Sequence, residues 1–210
     1  MKTAFTRCLL LMAAAAMLLT GCLFKPAVVS PRHFVLAPIP KTESNAAPSK
    51  HLSIGVGFVK MPSYLLRDSI AIRDSASEIR YLDNAQWGER LDQCLQRTVA
   101  VNLSRELSSD SIYFADWGRD QVMVRVFINV QQFDVDTQGR GTLIAQWRLA
   151  PQNSDIPLKS GRAELERTGA SPRGNPEVIA TTLSELAAEF SGELAHSIRE
   201  CSQIQPVAGK

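Results

Sequence analysis

The fold is decided by residues 121–149, which have the sequence QVMVRVFINVQQFDVDTQGRGTLIAQWRL. Apolar and polar side chains alternate in both halves of this stretch, which is the pattern of a strand with one buried face. A polar, glycine-containing turn at 137–141 separates the two halves. The stretch therefore predicts an antiparallel hairpin of two long strands, 121–133 and 142–149.

Strand patterns also surround this hairpin. The segments concerned are 33–37, 52–59, 69–73, 78–82, 111–114 and 159–168. In 52–59 the alternation places Leu52, Ile54, Val56 and Phe58 on one face, which we expect to be buried. Gly55 and Gly57 on the other face suggest a bulge or a closely approaching backbone. The polar residues between 69–73 and 78–82 predict a second hairpin.

Two segments have a helical period instead. Apolar residues recur every four positions over 87–107, with Asp83 or Asn84 placed to cap the start and Trp87 in the first turn. A second apolar stripe covers 179–201, after the capping pair Asn175–Pro176. Because two stripes are most simply buried against one sheet, we predict an α+β fold: a mostly antiparallel, mixed sheet with two long amphipathic helices on one face.

The N-terminus has the features of a secretory signal, with a short basic start and an apolar run at 9–19. The run is too short to span a bilayer as a helix. It closes with a sequence that resembles the lipobox of bacterial lipoproteins: Leu19, Thr20, Gly21 and Cys22. Cleavage before Cys22 would leave it as the first residue, carrying an S-diacylglycerol and an N-acyl group. This covalent lipid is the only prosthetic group that we expect.

These features divide the chain into a signal peptide at 1–21, a lipidated cysteine and flexible tether at 22–32, one α+β domain at 33–202 and a disordered tail at 203–210. Without residues 1–21, 21 basic side chains balance 21 acidic ones. A neutral domain without a basic stripe is not expected to bind nucleic acid, nor to be drawn strongly to anionic lipid. Leu23 follows the acylated cysteine where an inner-membrane protein would have Asp, so we expect the outer membrane, facing the periplasm.

Two cysteines remain after Cys8 leaves with the signal and Cys22 is acylated. Cys94 and Cys201 would lie in an oxidising compartment, where disulfides persist. Helices packed side by side would bring them together, so we predict a disulfide. Two separately buried thiols are the alternative.

The sequence carries no catalytic signature. The histidines lack metal-binding spacing: His33, His51 and His196. Asp134 with Asp136, and Glu164 with Glu166, have strand spacing on a face that we expect to be solvated, without a pocket to shift their pKa values. We therefore predict no metal, no cofactor beyond the lipid on Cys22, and no enzymatic activity.

A wider resemblance rests on five pieces in fixed order. These are Val59-Lys60-Met61-Pro62-Ser63-Tyr64-Leu65, Ile79-Arg80-Tyr81, Asn84-Ala85-Gln86-Trp87, Leu91-Asp92-Gln93 with Leu95, and Asn102-Leu103. In order and spacing they resemble the ABC-type transport auxiliary lipoproteins, the third component of paraquat-inducible (Pqi-type) MCE systems. The cysteine pair at positions 94 and 201 is not part of that pattern.

The resemblance implies a non-catalytic role. By this resemblance the chain looks like the outer-membrane docking component for a tube of MCE proteins that carries lipids between the membranes, and it is similar to lipoproteins that look like ring oligomers. The resemblance thus implies an MCE-domain partner and a homo-oligomer. Pro62, Tyr64 and Leu65 are our candidates for the partner contact, because aromatic anchors dominate interfaces. Alternatively, Tyr64 and Leu65 only pack this corner onto the core.

Three other functions stay open. An outer-membrane assembly lipoprotein would copurify with a β-barrel. A periplasmic carrier of lipid or another small ligand would need an apolar cavity between the sheet and the helices. A periplasmic hydrolase would need a catalytic site, which the sequence does not reveal.

Overall fold

The structure is a computed structural model that describes residues 30–41, 52–114, 117–118 and 121–204. Within these residues the chain forms eight strands, a 3₁₀ helix at Ser63–Leu66 and two α-helices. The strands are β1 (Arg32–Phe34), β2 (Ile54–Lys60), β3 (Ser69–Arg73), β4 (Ile79–Trp87), β5 (Ile112–Phe114), β6 (Val124–Asp136), β7 (Arg140–Pro151) and β8 (Lys159–Thr168). The helices are α1 (Leu91–Leu107) and α2 (Glu177–Ile204). The predicted α+β class is confirmed.

The N-terminal predictions lie outside the described residues. This applies to the signal peptide, to Cys22 with Leu19, Thr20 and Gly21, and to His51. Residues 205–210 are outside as well, whereas α2 continues to Ile204, slightly beyond its predicted end. Neither helix in the described part of the chain combines the length and the apolar character needed to cross a membrane.

Strand β6 is the centre of one mixed sheet. One of its edges pairs antiparallel with β7, which pairs antiparallel with β8. The other edge pairs parallel with β2 along its first part and with β3 at Val135 and Asp136. Strand β5 lies beside β2, and β4 and β1 follow β3. Both predicted hairpins are confirmed, and the longest pairings are antiparallel.

A bulge in β2 reverses the predicted faces of its second half. Ile54 and Val56 are buried as expected, but the register with β6 shifts between Val56 and Val59. An extra residue in a strand exchanges the two faces beyond it. Val59 is therefore buried and Phe58, predicted to be buried, is 75% exposed. At Gly57 a Cβ would lie 3.3 Å from a β6 carbonyl oxygen, so the predicted close approach of the backbone is confirmed.

The predicted start of the first helix is wrong. Asp83 and Asn84 do not cap it, because β4 continues through Trp87 and α1 begins at Leu91. Residues 85–87 pair with β1, a contact between distant segments that a local period does not reveal. Trp87 is buried in the core as predicted, but from a strand.

The second helix begins as predicted. The backbone N–H of Glu177 donates to Asn175 Oδ1 (3.2 Å), which satisfies one of the free donors of the first turn. Helix α1 packs on β2 and β5, and α2 packs on β6, β7 and β8, so both helices cover one face of the sheet.

The two helices run in the same direction. Asn102 of α1 donates to Ser191 Oγ of α2 (3.2 Å), and four residues further along α1 Glu106 lies 3.7 Å from Arg199. Cys94 therefore lies near one end of the pair and Cys201 near the other. The twelve residue steps from Cys94 to Glu106 alone span about 18 Å along the helix axis.

The predicted disulfide is therefore wrong. Cys94 and Cys201 are free thiols, because parallel packing separates them far beyond the Cα distance that a disulfide allows. Cys94 Sγ instead accepts the backbone N–H of Leu36 (3.2 Å), and burial raises the pKa of this thiol to about 11.

Candidate functional site

The corner between β2 and β3 contains the predicted contact residues. Leu65 is 3% exposed and belongs to the core, and its N–H donates to the carbonyl of Pro62 (3.0 Å). Leu65 therefore cannot touch a partner directly, which corrects its predicted role. Pro62 and Tyr64 are half-buried, and Ser63 is exposed.

Tyr64 joins a buried ion pair at this corner. Its hydroxyl donates to Asp134 Oδ2 (2.6 Å), and Arg73 donates to both oxygens of the same carboxylate (2.9 and 2.7 Å). Gln132 adds a third partner to Asp134 (3.0 Å). Burial, followed by the hydrogen bond to Asp134, raises the pKa of Tyr64 well above its ordinary value. The four side chains clamp the 3₁₀ helix, β3 and β6 together.

Asp134 was predicted to lie on a solvated face, and this is wrong. Its side chain is 2% exposed, because Tyr64, Arg73 and Gln132 cover it at the corner. Asp136 is separate from it and accepts the backbone N–H groups of Gln138 and Arg140 in the following turn. These two aspartates do not form an acid–base pair.

The other acidic and metal-ligating side chains are dispersed. Glu164 and Glu166 lie exposed on β8 as predicted. His33 is exposed on β1, and His196 lies 3.5 Å from Glu200 on α2. In the described segments, no three His, Cys, Asp or Glu side chains lie together in a way that could hold a metal ion.

The face of the sheet opposite the helices carries a cluster that the sequence did not reveal. We call it the basic–aromatic face and define it by Phe58, Lys60, Phe127, Arg148 and Arg162. The Arg148 guanidinium lies 4.2 Å from the centroid of the Phe127 ring, a stacking distance. The five side chains line an open cleft of about 540 Å³.

Two cations of this face lack an acidic partner. The neighbouring Arg125 is paired with Asp155 (3.1 Å), and Arg162 lies 3.4 Å from Glu164. Within the described residues, Lys60 and Arg148 make no ion pair. The face therefore carries a local positive charge on a mature chain that is neutral overall.

The sequence contained part of this signal. In the alternating pattern of 121–149, Arg125 and Arg148 stand at polar positions between the buried residues of β6 and β7. Phe58 was assigned to the other face because the bulge in β2 depends on its pairing with β6. Lys60 lies beside Asn129 because β2 pairs in parallel with β6. This pairing joins distant segments, so local alternation does not predict it.

The fold and the site together define a class of protein. One mixed sheet is covered by helices on one face. The polar cluster around Asp134 holds the corner between β2 and β3 against β6. A family model described as "ABC-type transport auxiliary lipoprotein component" matches residues 34–195. The chain therefore belongs to the family of ABC-type transport auxiliary lipoprotein components. It is an auxiliary lipoprotein of a transport system.

Known proteins agree with this membership. The chain is 24% identical over 184 residues to the intermembrane transport lipoprotein PqiC of Escherichia coli K12, covering 88% of this chain and 96% of PqiC. The same values hold for PqiC of Shigella flexneri.

Two crystal structures have the same fold. An uncharacterized protein has a TM-score of 0.65 at 20% identity, with 80% of this chain and 99% of that chain covered. A Xanthomonas campestris protein has a TM-score of 0.63 at 15% identity, with coverages of 83% and 95%.

Proposed function

We propose that this chain is a non-catalytic accessory lipoprotein of an MCE-type ABC lipid-transport system, and that it docks the transport tube at the outer membrane. The observation that carries the proposal is the family match over residues 34–195, most of the chain. The relative in Escherichia coli is named an intermembrane transport lipoprotein, which fits transport between two membranes.

The surroundings of Asp134 support a non-catalytic role. Its two oxygens accept hydrogen bonds from Arg73, Tyr64 and Gln132, so the carboxylate is occupied by side chains of the fold itself. A general acid or base needs access to a substrate proton. A buried carboxylate whose two oxygens are already occupied offers no such access.

The predicted anchor supports the location. In our proposal Cys22 carries the acyl groups, and Leu23 after it directs the protein to the outer membrane. Two or three acyl chains give stable anchoring, whereas one chain gives only marginal residence. The domain would then face the periplasm, where an MCE protein can reach it.

We place the partner contact at the outer side of the corner, at Pro62, Ser63 and Tyr64. Leu65 fixes this corner in the core, and the hydrogen bond from Tyr64 to Asp134 fixes it to β6. A contact that is already rigid loses little conformational entropy on binding. The corner thus presents a prepared surface around the exposed Ser63.

The test is a mild-detergent pull-down of the acylated protein from cell envelopes, followed by mass spectrometry of proteins and lipids. We expect an MCE-domain protein with the wild-type chain and a strong loss of it with Ser63→Arg, which places a large charge on the corner. Ser202→Arg, at an exposed site near the end of α2, should behave like the wild type.

Three outcomes would contradict the proposal. Recovery of a β-barrel in place of an MCE protein would indicate an assembly lipoprotein. Recovery of lipid without an MCE protein would indicate a carrier. Equal recovery with Ser63→Arg and the wild type would refute the corner as the contact.

A further inference from the structure

We propose that the basic–aromatic face rests on an anionic phospholipid surface and holds the anchored domain against the bilayer. The inference goes beyond the transport role and does not depend on an MCE partner. It rests on the charge of this face, on the exposed aromatic ring of Phe58 and on the small number of residues between the predicted anchor and the domain.

The charge of the face complements an anionic surface. Lys60 and Arg148 have no acidic partner within the described residues, and each can approach a lipid phosphate without breaking an ion pair. Basic side chains close to an anionic membrane each raise affinity about fivefold. The neutral total charge of the mature chain conceals this local excess.

The apolar side chains of the face suit the headgroup region of a bilayer. Phe58 is 75% exposed beside Lys60, and the Phe127 ring lies under the Arg148 guanidinium. Ile156, in the loop next to Asp155, is 77% exposed. Aromatic and aliphatic side chains surrounded by cations are typical of surfaces that enter the boundary between headgroups and acyl chains.

The length of the chain before the domain favours a bilayer over a soluble acidic protein. Nine residue steps separate Cys22 from Pro31, which extend to about 30 Å at most. With Cys22 acylated, the domain cannot leave the membrane surface by more than this distance. Tethering raises the effective concentration of lipid around the face, so that weak contacts become occupied.

The test is co-sedimentation of the mature chain, residues 22–210, with Cys22→Ser to remove the acyl anchor. We expect binding to vesicles of phosphatidylglycerol and phosphatidylethanolamine that weakens as salt is added. Vesicles of phosphatidylcholine alone should bind little. The double variant Lys60→Gln/Arg148→Gln should bind the anionic vesicles about 25-fold more weakly.

A charge-matched control separates this face from general charge. Lys41→Gln/Arg173→Gln removes two exposed cations elsewhere and should leave affinity within about twofold of the parent chain. Equal losses in the two double variants would overturn the proposal, as would a parent chain that does not bind anionic vesicles at low salt. The proposal would also be overturned if Lys60→Gln/Arg148→Gln left vesicle binding unchanged but abolished self-association or the binding of an acidic protein, and the control variant did not.

Discussion

Arg73 and Arg148 are arginines on the sheet of one domain, and their surroundings differ. Arg73 binds both oxygens of Asp134, which is buried and also bound by Tyr64. Arg148 stacks on Phe127 and has no acidic partner in the described residues. The first arrangement uses charge to fix a corner, and the second leaves charge available for a ligand.

Arg73 contributes to the stability of the fold, whereas Arg148 is available for recognition. A buried ion pair is costly to break because the remaining charge has no partner, whereas an exposed cation contributes little to folding. We therefore expect changes at Asp134 to alter the free energy of unfolding and changes at Arg148 to alter binding.

The largest effect is expected from Asp134→Ala. This change leaves the Arg73 guanidinium and the Tyr64 hydroxyl without their shared acceptor, so the free energy of unfolding should fall by about 3 kcal/mol. Urea denaturation measures it. Asp155→Ala, at an ion-pair partner that is 87% exposed, is the control and should change stability by less than about 0.5 kcal/mol. Similar losses in the two variants would refute the division.

The next effect tests the bulge in β2. Val59→Ala removes buried methyl groups and should cost about 2 kcal/mol, because the transfer and cavity terms add. Phe58→Ala, one residue earlier, should be nearly neutral because the ring is exposed. The same urea titration compares the two. Without the bulge the order would be reversed, so a larger loss at Phe58 would contradict the structure.

A smaller effect is expected from Tyr64→Phe. The ring stays in place, but one donor to Asp134 is lost while Arg73 and Gln132 remain. We expect a loss of about 1 kcal/mol, the usual worth of such a hydrogen bond. Thermal unfolding checks this value. An unchanged Tm would show that the hydroxyl contributes nothing to the corner.

The smallest effect is expected from reduction. Because Cys94 and Cys201 are free thiols at opposite ends of parallel helices, dithiothreitol should leave the Tm unchanged. A thiol reagent should modify Cys201 in the folded protein and Cys94 only after unfolding, since burial raises the pKa of Cys94 to about 11. If the protein is unfolded without a reductant and the thiol reagent then labels neither Cys94 nor Cys201, the two residues are bonded and the structure is contradicted.

Local patterns predicted the parts of the fold that depend on neighbouring residues. The bounds of β8, the hairpin of β6 and β7, and the Asn175 cap of α2 follow from alternation, turn residues and capping chemistry. Each of these signals arises within one hairpin or one helix end. Such elements need no knowledge of distant contacts.

The errors depend on contacts between distant segments. Strand β4 extends through Trp87 because β1 pairs with it, and Phe58 is exposed because β2 pairs with β6 across a bulge. The cysteines are apart because the sheet order makes α1 and α2 parallel, which the apolar stripes alone cannot reveal. Asp134 was predicted on a solvated face because its burial depends on Tyr64 and Arg73, which come from distant segments.

The candidate site was predicted only in part. The corner with Pro62, Tyr64 and Leu65 was found from its residue types, but its exposure depends on the core position of Leu65. The basic–aromatic face was missed because total charge does not report how charges are distributed.

The most direct test of the proposed function combines the two regions in one envelope pull-down. The acylated wild type, Ser63→Arg and Lys60→Gln/Arg148→Gln would be compared by the amount of MCE-domain protein recovered. We expect full recovery with the wild type, strong loss with Ser63→Arg and nearly full recovery with the double variant. If the wild type recovers no MCE-domain protein while it remains folded and membrane-bound, the proposed docking function is contradicted.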